Sequence, residues 1–281
     1  MCRLLGYLGP SVSLEHLLYK PDHSLIVQSY QPRELEVALL NADGFGVGWY
    51  HPQRKTAPFN YRNTLPIWND VNLPQLSRYI ESNCVLAYIR SATPGLAIDM
   101  SNCQPFQHGA LTFIHNGFIE NFRQTLYRPL RDRLCDTAYH AIHGLTDSEH
   151  IFALLLHELE TQPGCSLETA LNRTLVQLAK LAAEYGTRIA ANILISDGDR
   201  LVACRFDTQD DGPSFYWLRH APGLPDSVLF ASEPLFEADW VSCAPATIFS
   251  VDRSLVVKQQ ALNAQSTGAH SVESASQRSL V

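Results

Sequence analysis

Residues 1–10 of the chain read MCRLLGYLGP, and the fold prediction starts from this stretch. Residues 3–8 have the apolar character and length of a short strand. Cys2 lies directly before that strand and directly after the initiator methionine. We expect removal of Met1, which would leave a thiol and a free α-amine on one residue. An α-amine, whose ordinary pKa is near 7.7–8.0, can serve as a base for the thiol at neutral pH. The alternative is a cysteine that merely follows the start codon.

The composition indicates a folded protein with a sizeable core. Hydrophobic residues make up 46% of the 281 residues and charged residues 17%, which suits one large domain or two small ones. The formal net charge is −7, and no Lys/Arg-rich run interrupts the acidic balance. A surface that binds nucleic acid or an anionic membrane is therefore not predicted.

The cysteines and the N-terminus indicate a reducing, cytoplasmic environment. The seven cysteines are odd in number and include no CxxC pair, which argues against a disulfide framework or a zinc ribbon. His140 and His143 lack a third ligand in the sequence pattern, so no metal is predicted. Gly6, Gly9 and Pro10 break the N-terminal apolar run, and no window reaches the roughly 18 apolar residues of a membrane helix. We therefore expect neither a signal peptide nor a membrane span.

The order of predicted elements favours an α+β fold. Strands are predicted at residues 3–8, 24–30, 84–90 and 109–115, the last ending at the Asn116-Gly117 pair, and residues 41–50 are predicted to form a turn followed by a glycine-rich strand. Helices are predicted at residues 14–19, 73–81, 120–134, 147–160 and 167–184, the last ending at Gly186. Short strands follow at residues 189–196, 200–206, 214–218, 228–231, 247–251 and 255–258, and a disordered tail is predicted from residue 259. Strands, then helices, then strands again are typical of helices that cover antiparallel sheets.

Two motifs at the ends of predicted strands carry side chains suited to chemistry. Arg90 in RSAT (residues 90–93) is either a surface charge or a fork for a carboxylate. Asn116 and Gly117 in HNG (residues 115–117) form either an ordinary turn pair or two donors that converge on an oxyanion.

A third motif, TDSE at residues 146–149, matches a capping box with Thr146 as the N-cap and Glu149 three residues later. Asp147 would then be the first helical residue, where the helix dipole favours its ionised form. Its carboxylate could pair with a substrate ammonium. Together with Cys2, these motifs offer a nucleophile, an oxyanion hole, a carboxylate receptor and an ammonium receptor. Hydrolysis of the γ-amide of a glutamine-like group requires these parts.

The motifs MCRLLG, NADGFGVGW, RSAT, HNG and TDSE resemble those of the class II glutamine amidotransferases, a family of N-terminal nucleophile hydrolases. The resemblance covers residues 1 to about 160 and implies a four-layer αββα sandwich. It implies that Cys2 is the nucleophile and that Asn116 and Gly117 form the oxyanion hole. It also implies a substrate pocket, with Arg90 for the α-carboxylate, Asp147 for the α-amine, Thr93 nearby, and Asn41, Asp43 and Gly44 lining the site under Cys2.

Within this family the chain resembles the stand-alone hydrolases, because the residues after TDSE are needed to complete the sandwich. We therefore expect one domain at residues 1–258 and a tail at residues 259–281. VQSY at residues 27–30 and ASEPL at residues 231–235 resemble most the amidohydrolases of ergothioneine biosynthesis, which remove glutamate from γ-glutamyl-hercynylcysteine sulfoxide. The resemblance implies a small γ-glutamyl substrate and no metal or organic cofactor.

Two alternatives stay open at this point. One is a γ-glutamyl or glutamine amidohydrolase of another pathway, such as glutathione turnover. The other is a non-catalytic domain of the same fold. The oligomeric state is not predicted by the sequence.

Overall fold

Two stacked antiparallel sheets with helices on their outer faces make up the computed structural model, which describes residues 2–34, 40–51, 53, 56–92, 97–209 and 211–262. The strands are β1 (Arg3–Ser13), β2 (Phe45–Trp49), β3 (Phe59–Asn63), β4 (Glu81–Ile89), β5 (Phe106–His108), β6 (Leu111–Ile119), β7 (Ile189–Ser196), β8 (Arg200–Asp207), β9 (Tyr216–Ala221), β10 (Leu224–Ala231), β11 (Val241–Ser242), β12 (Thr247–Asp252) and β13 (Lys258–Ala261). The α-helices are α1 (Leu14–Leu18), α2 (Leu25–Tyr30), α3 (Leu73–Tyr79), α4 (Tyr127–Arg131), α5 (Asp136–His140), α6 (Asp147–Thr161) and α7 (Leu167–Tyr185).

Strand β1 lies in the middle of the first sheet, whose order is β11-β9-β10-β1-β4-β2-β3. It is hydrogen-bonded on both flanks, since Leu5 opposes Ala231 of β10 on one side and Ala87 of β4 on the other. The second sheet has the order β13-β12-β8-β7-β6-β5. Because Cys2 directly precedes β1, the cysteine is at the end of a strand that both neighbours hold in place.

Apolar side chains form three layers around these sheets. Successive residues of a strand point to opposite faces. Leu4 therefore joins Ile114 and Leu194 in the core between the sheets, whereas Leu5 faces the helices α1 to α3 on the outer side. On the other outer side, Phe113 of β6 stacks on Phe152 of α6 within the core under α4 to α7. The predicted four-layer αββα sandwich is confirmed.

The structure corrects the prediction of an extended segment at residues 24–30, which form helix α2 instead. A short apolar run such as Leu25-Ile26-Val27 does not by itself distinguish a buried strand from a helical turn. Here Ser24 acts as the N-cap, because its hydroxyl accepts a hydrogen bond from the Val27 N–H at 3.4 Å.

Two predicted boundaries around the HNG motif are also wrong. Asn116 and Gly117 do not end a strand but lie inside β6, paired with Asn192 and Ala191 of β7. The helix predicted at residues 120–134 is reduced to the five residues of α4, since Asn121 adopts a positive φ of 49° and begins a series of turns.

The C-terminal strands shift as well. The strand predicted at residues 255–258 is wrong, because Leu255 has a φ of 58° and belongs to a turn. The last strand is β13, which pairs with β12 and so reaches Ala261, three residues into the predicted tail. Residues 263–281 lie outside the described residues. None of the described helices has the length and apolar character needed to cross a lipid bilayer.

Candidate active site

Cys2 lies where the start of β1 meets the end of β4. Arg3 pairs with Ile89 in the sheet, so the residues just outside both strands are neighbours. The Cys2 Sγ accepts a hydrogen bond from the Ser91 N–H at 3.3 Å and lies 3.5 Å from the Ser91 carbonyl oxygen. The Ser91 backbone therefore fixes the position of the Cys2 sulfur from both its N–H and its carbonyl side.

A buried ionic cluster lies next to Cys2. The Arg3 guanidinium donates through Nη1 to the Cys2 carbonyl at 2.9 Å and through Nε to Glu233 at 2.7 Å. Glu233 also contacts His23 at 2.6 Å and accepts hydrogen bonds from the N–H groups of Arg33 and Glu34. Burial by itself raises the pKa of Glu233, but His23, Arg3 and the two N–H groups outweigh it and lower the pKa to about 2. Glu233 thus fixes Arg3, the residue that follows Cys2.

Arg90 and the NADGFG segment hold each other in place. The Asp43 N–H donates to the Arg90 carbonyl at 3.1 Å, and the Arg90 N–H donates to the Gly44 carbonyl at 2.8 Å. The Asp43 carboxylate accepts a hydrogen bond from the Ala92 N–H at 2.7 Å. In the described part of the chain, the buried Arg90 guanidinium makes one hydrogen bond, to the Asp43 carbonyl at 3.4 Å, so other donors are available to a carboxylate.

Gly44 and Asn41 complete this segment. Gly44 has a φ of +116°, and a Cβ there would lie 2.8 Å from the Asn63 carbonyl oxygen, so the position requires glycine. Asn41 is fully buried, and its amide has no hydrogen-bond partner among the described residues. Thr93, predicted for the same pocket, lies outside the described residues.

Asn116 and Gly117 face different constraints within β6. Asn116 is buried, and its Nδ2 lies 3.3 Å from the Ser232 hydroxyl oxygen. That oxygen also accepts a hydrogen bond from the Leu4 N–H at 3.1 Å, which links Asn116 to β1. At Gly117, a Cβ would lie 1.9 Å from the Ala190 carbonyl oxygen of β7, so no side chain fits.

Asp147 is the first residue of α6, as predicted. Its carboxylate accepts hydrogen bonds from the Ile119 N–H at 2.8 Å and the Ser148 N–H at 2.7 Å. The Ser148 hydroxyl also contacts His115 Nδ1 at 2.8 Å, so this helix start is tied to the HNG strand. Burial lowers the pKa of His115, which keeps the ring neutral at pH 7.

The predicted capping box is half correct. Thr146 does accept the Glu149 N–H at 3.3 Å. The reciprocal bond is wrong: the Glu149 carboxylate accepts the N–H groups of His143 at 2.9 Å and Gly144 at 2.6 Å instead. The preceding loop folds back over the helix start and brings these donors closer than the N-cap N–H.

Tyr88 is buried on β4, where it pairs with Leu4 of β1. Burial together with the Cys2 thiol raises its pKa well above the ordinary value of 10; the charge of Asp147 acts in the same direction, and the charge of Arg90 opposes it.

Sequence reasoning missed Ser232 and the partners of Arg3. Ser232 and Glu233 lie inside ASEPL, which served in the sequence only as a mark of resemblance. Within the described ranges, no group of three or more His, Cys, Asp or Glu side chains is arranged to hold a metal ion.

Comparisons with known proteins identify the family of the chain. The model of the family "Glutamine amidotransferases class-II" matches residues 1–225. A γ-glutamyl-hercynylcysteine sulfoxide hydrolase of Mycobacterium tuberculosis (strain CDC 1551 / Oshkosh) is 35% identical over 235 residues, which is 83% of this chain and 85% of the relative. A probable glutamine amidotransferase of Saccharomyces cerevisiae, DUG3, is 30% identical over 299 residues, covering 92% of this chain and 83% of the relative.

Solved structures are similar as well. A class II glutamine aminotransferase domain protein from Silicibacter pomeroyi has a TM-score of 0.69 at 25% identity, covering 93% of this chain and all of the other. A glutamine phosphoribosylpyrophosphate amidotransferase from B. subtilis has a TM-score of 0.65 at 15% identity, covering 93% of this chain and 49% of the other, which supports the fold alone.

Proposed function

The chain belongs to the class II glutamine amidotransferases and is an amidohydrolase, and from this premise we propose that it removes glutamate from γ-glutamyl-hercynylcysteine sulfoxide. The observation that carries the proposal is the Cys2 thiol, held by the Ser91 N–H at 3.3 Å at the end of the central strand. The names of the mycobacterial relatives support the choice of substrate.

The γ-glutamyl end of the substrate binds between two opposite charges. Arg90 binds its α-carboxylate with the guanidinium donors that Asp43 leaves available. Asp147 binds its α-amine, because a carboxylate that accepts two backbone N–H groups still has lone pairs for an ammonium. The proposed pocket also includes Asn41, Asp43 and Gly44 under Cys2, and the family resemblance implies that Thr93 contributes to it.

Acylation begins once Met1 has been removed. The Cys2 α-amine takes the thiol proton, and the sulfur attacks the γ-carbonyl carbon. The Asn116 Nδ2 and the Gly117 N–H stabilise the resulting oxyanion; one such donor is worth about 10²–10³ in rate. The protonated α-amine then gives its proton to the leaving nitrogen as the C–N bond breaks.

Deacylation reverses the roles. Water attacks the γ-glutamyl thioester, the α-amine accepts its proton, and glutamate leaves as the thiol is restored. All proton transfers use the Cys2 amine, so the steps require no metal or organic cofactor.

The test is a matched pair of cysteine variants assayed for glutamate release. Cys2→Ala removes the nucleophile and is expected to abolish turnover while the fold is retained. Cys165→Ala removes another partly buried thiol and is expected to turn over like the wild type. Substantial turnover by Cys2→Ala would overturn the mechanism. Mass analysis of the N-terminus is the companion measurement, because a retained Met1 blocks the amine as a base.

A substrate panel tests the leaving group. We expect γ-glutamyl-hercynylcysteine sulfoxide to have a higher kcat/KM than glutamine or glutathione. A preference for glutathione would move the function to thiol turnover, the alternative that the sequence left open.

A further inference from the structure

Ser232 occupies a junction between the nucleophile strand and Asn116. It follows β10 and is fully buried. Its backbone N–H donates to the Leu4 carbonyl at 3.1 Å, and its hydroxyl oxygen accepts the Leu4 N–H at the same distance. The Asn116 amide is its third partner, with Nδ2 at 3.3 Å from the hydroxyl oxygen. One hydroxyl therefore joins β1, β6 and β10.

The hydrogen bonds at this junction leave two groups unmatched. With Nδ2 facing Ser232, the buried Asn116 Oδ1 has no partner among the described residues. The Ser232 oxygen then receives two N–H donors, and no described acceptor takes its own hydrogen. A buried polar group without a partner is unfavourable.

A half-turn of the Asn116 amide pairs the serine hydrogen with Oδ1 and leaves the Nδ2 hydrogens for a ligand. The half-turn exchanges the amide nitrogen and oxygen at nearly the same positions, and the surrounding hydrogen bonds decide which orientation is favoured. With Oδ1 toward Ser232, the serine hydroxyl can accept from Leu4 and donate to Asn116 at once. Both Nδ2 hydrogens then point away from Ser232.

We propose that Ser232 is a positioning residue that holds the Asn116 amide with its Nδ2 donor turned toward the oxyanion. The proposal rests on the oxyanion role of Asn116 in the proposed function. In the opposite orientation Oδ1 would face the oxyanion, and the partial negative charge of this amide oxygen would repel it. Ser232 thus acts through Asn116 without touching the substrate.

The main experiment compares Ser232→Ala with a control variant in β10, the strand that Ser232 directly follows. Ser232→Ala should lower kcat by about 10²-fold, the effect of losing one oxyanion donor, and change KM by less than about threefold. Ser227→Ala removes another fully buried hydroxyl of β10, which donates to the Leu224 carbonyl, and should leave kcat unchanged. Ser232→Thr keeps the hydroxyl and should restore most of kcat. Ser232→Cys is a weakly donating variant of similar size, used if the alanine variant does not fold.

A double-mutant cycle separates positioning from general structural damage. In an Asn116→Ala background the donor is already gone, so adding Ser232→Ala should lower kcat by no more than about threefold. Losses that multiply, or a Ser232→Ala enzyme with wild-type kcat, would overturn the proposal. All rates are read above the Cys2→Ala background. A fully active Cys2→Ala enzyme would refute the proposed function. If Cys2→Ala is inactive, the double-mutant cycle tests the role of Ser232 separately.

Discussion

Replacement of Glu233 by glutamine tests whether the buried ionic cluster holds the nucleophile end of β1. The substitution keeps the size of the side chain and removes its charge. Arg3, whose side chain is 1% exposed, then keeps a positive charge with no compensating carboxylate at 2.7 Å. The Gln amide also places an N–H group where Glu233 now accepts hydrogen bonds from His23 and Arg33.

The expected loss in the free energy of unfolding follows from these lost interactions. Removing one member of a buried charge pair typically costs about 3–5 kcal/mol, because the other charge stays buried. A whole protein is stable by about 5–15 kcal/mol, so the loss is a large part of the total. Because Arg3 also donates to the Cys2 carbonyl, we expect kcat to fall as well.

Urea unfolding followed by tryptophan fluorescence measures the effect. Asp132→Asn is the matched control, because the Arg128–Asp132 pair is exposed and such pairs contribute less than about 1 kcal/mol. Adding Arg3→Met to Glu233→Gln removes the unpaired charge and should recover part of the stability. A loss below about 1 kcal/mol in Glu233→Gln, or no recovery in the double variant, would refute the reasoning.

Three further predictions concern the same framework. Gly117→Ala should prevent normal pairing of β6 with β7, because its Cβ would lie 1.9 Å from a backbone oxygen; circular dichroism and yield of folded protein report this, and a stable, active variant would contradict it. Thr146→Ala should lower the free energy of unfolding by about 1 kcal/mol through loss of the N-cap of α6, with an unchanged urea midpoint as the contrary result. Ionised Glu233 stabilises the fold above its ordinary pKa of 4.5, and this contribution is lost as the pH falls toward about 2. The gap between the urea midpoints of wild type and Glu233→Gln should therefore narrow from pH 5 to pH 3, and a constant gap would argue against it.

Periodic segments made much of the fold predictable from the sequence. Helix α7 is amphipathic and ends at Gly186, which has a left-handed φ of 60°, so both its type and its end could be inferred. Strand β7 was predicted at its observed bounds, because its long apolar run is buried on both faces. Residues 24–30 were harder, since helix α2 is short and its apolar run has no clear period.

The candidate site was less predictable from the sequence than the fold, because its contacts join distant parts of the chain. Cys2, Arg90 and Asp147 each have a local signature at the end of a strand or the start of a helix, so the sequence could mark them as candidates. The contacts of Ser232 and Glu233 were not predictable, since their partners Leu4 and Arg3 are more than 200 residues away in the chain. No sequence pattern indicates which residue is the counter-ion of a buried carboxylate such as Glu233.

The double-sided pairing of β1 has a practical consequence for producing the protein. An affinity tag fused ahead of Cys2 would add residues beside the contact between Cys2 and Ser91, directly before a strand whose two edges are already occupied. Such a fusion would also convert the α-amine of Cys2 into an amide. A purification tag is therefore better attached C-terminal to β13, whose residues 258–261 are exposed at the edge of the second sheet.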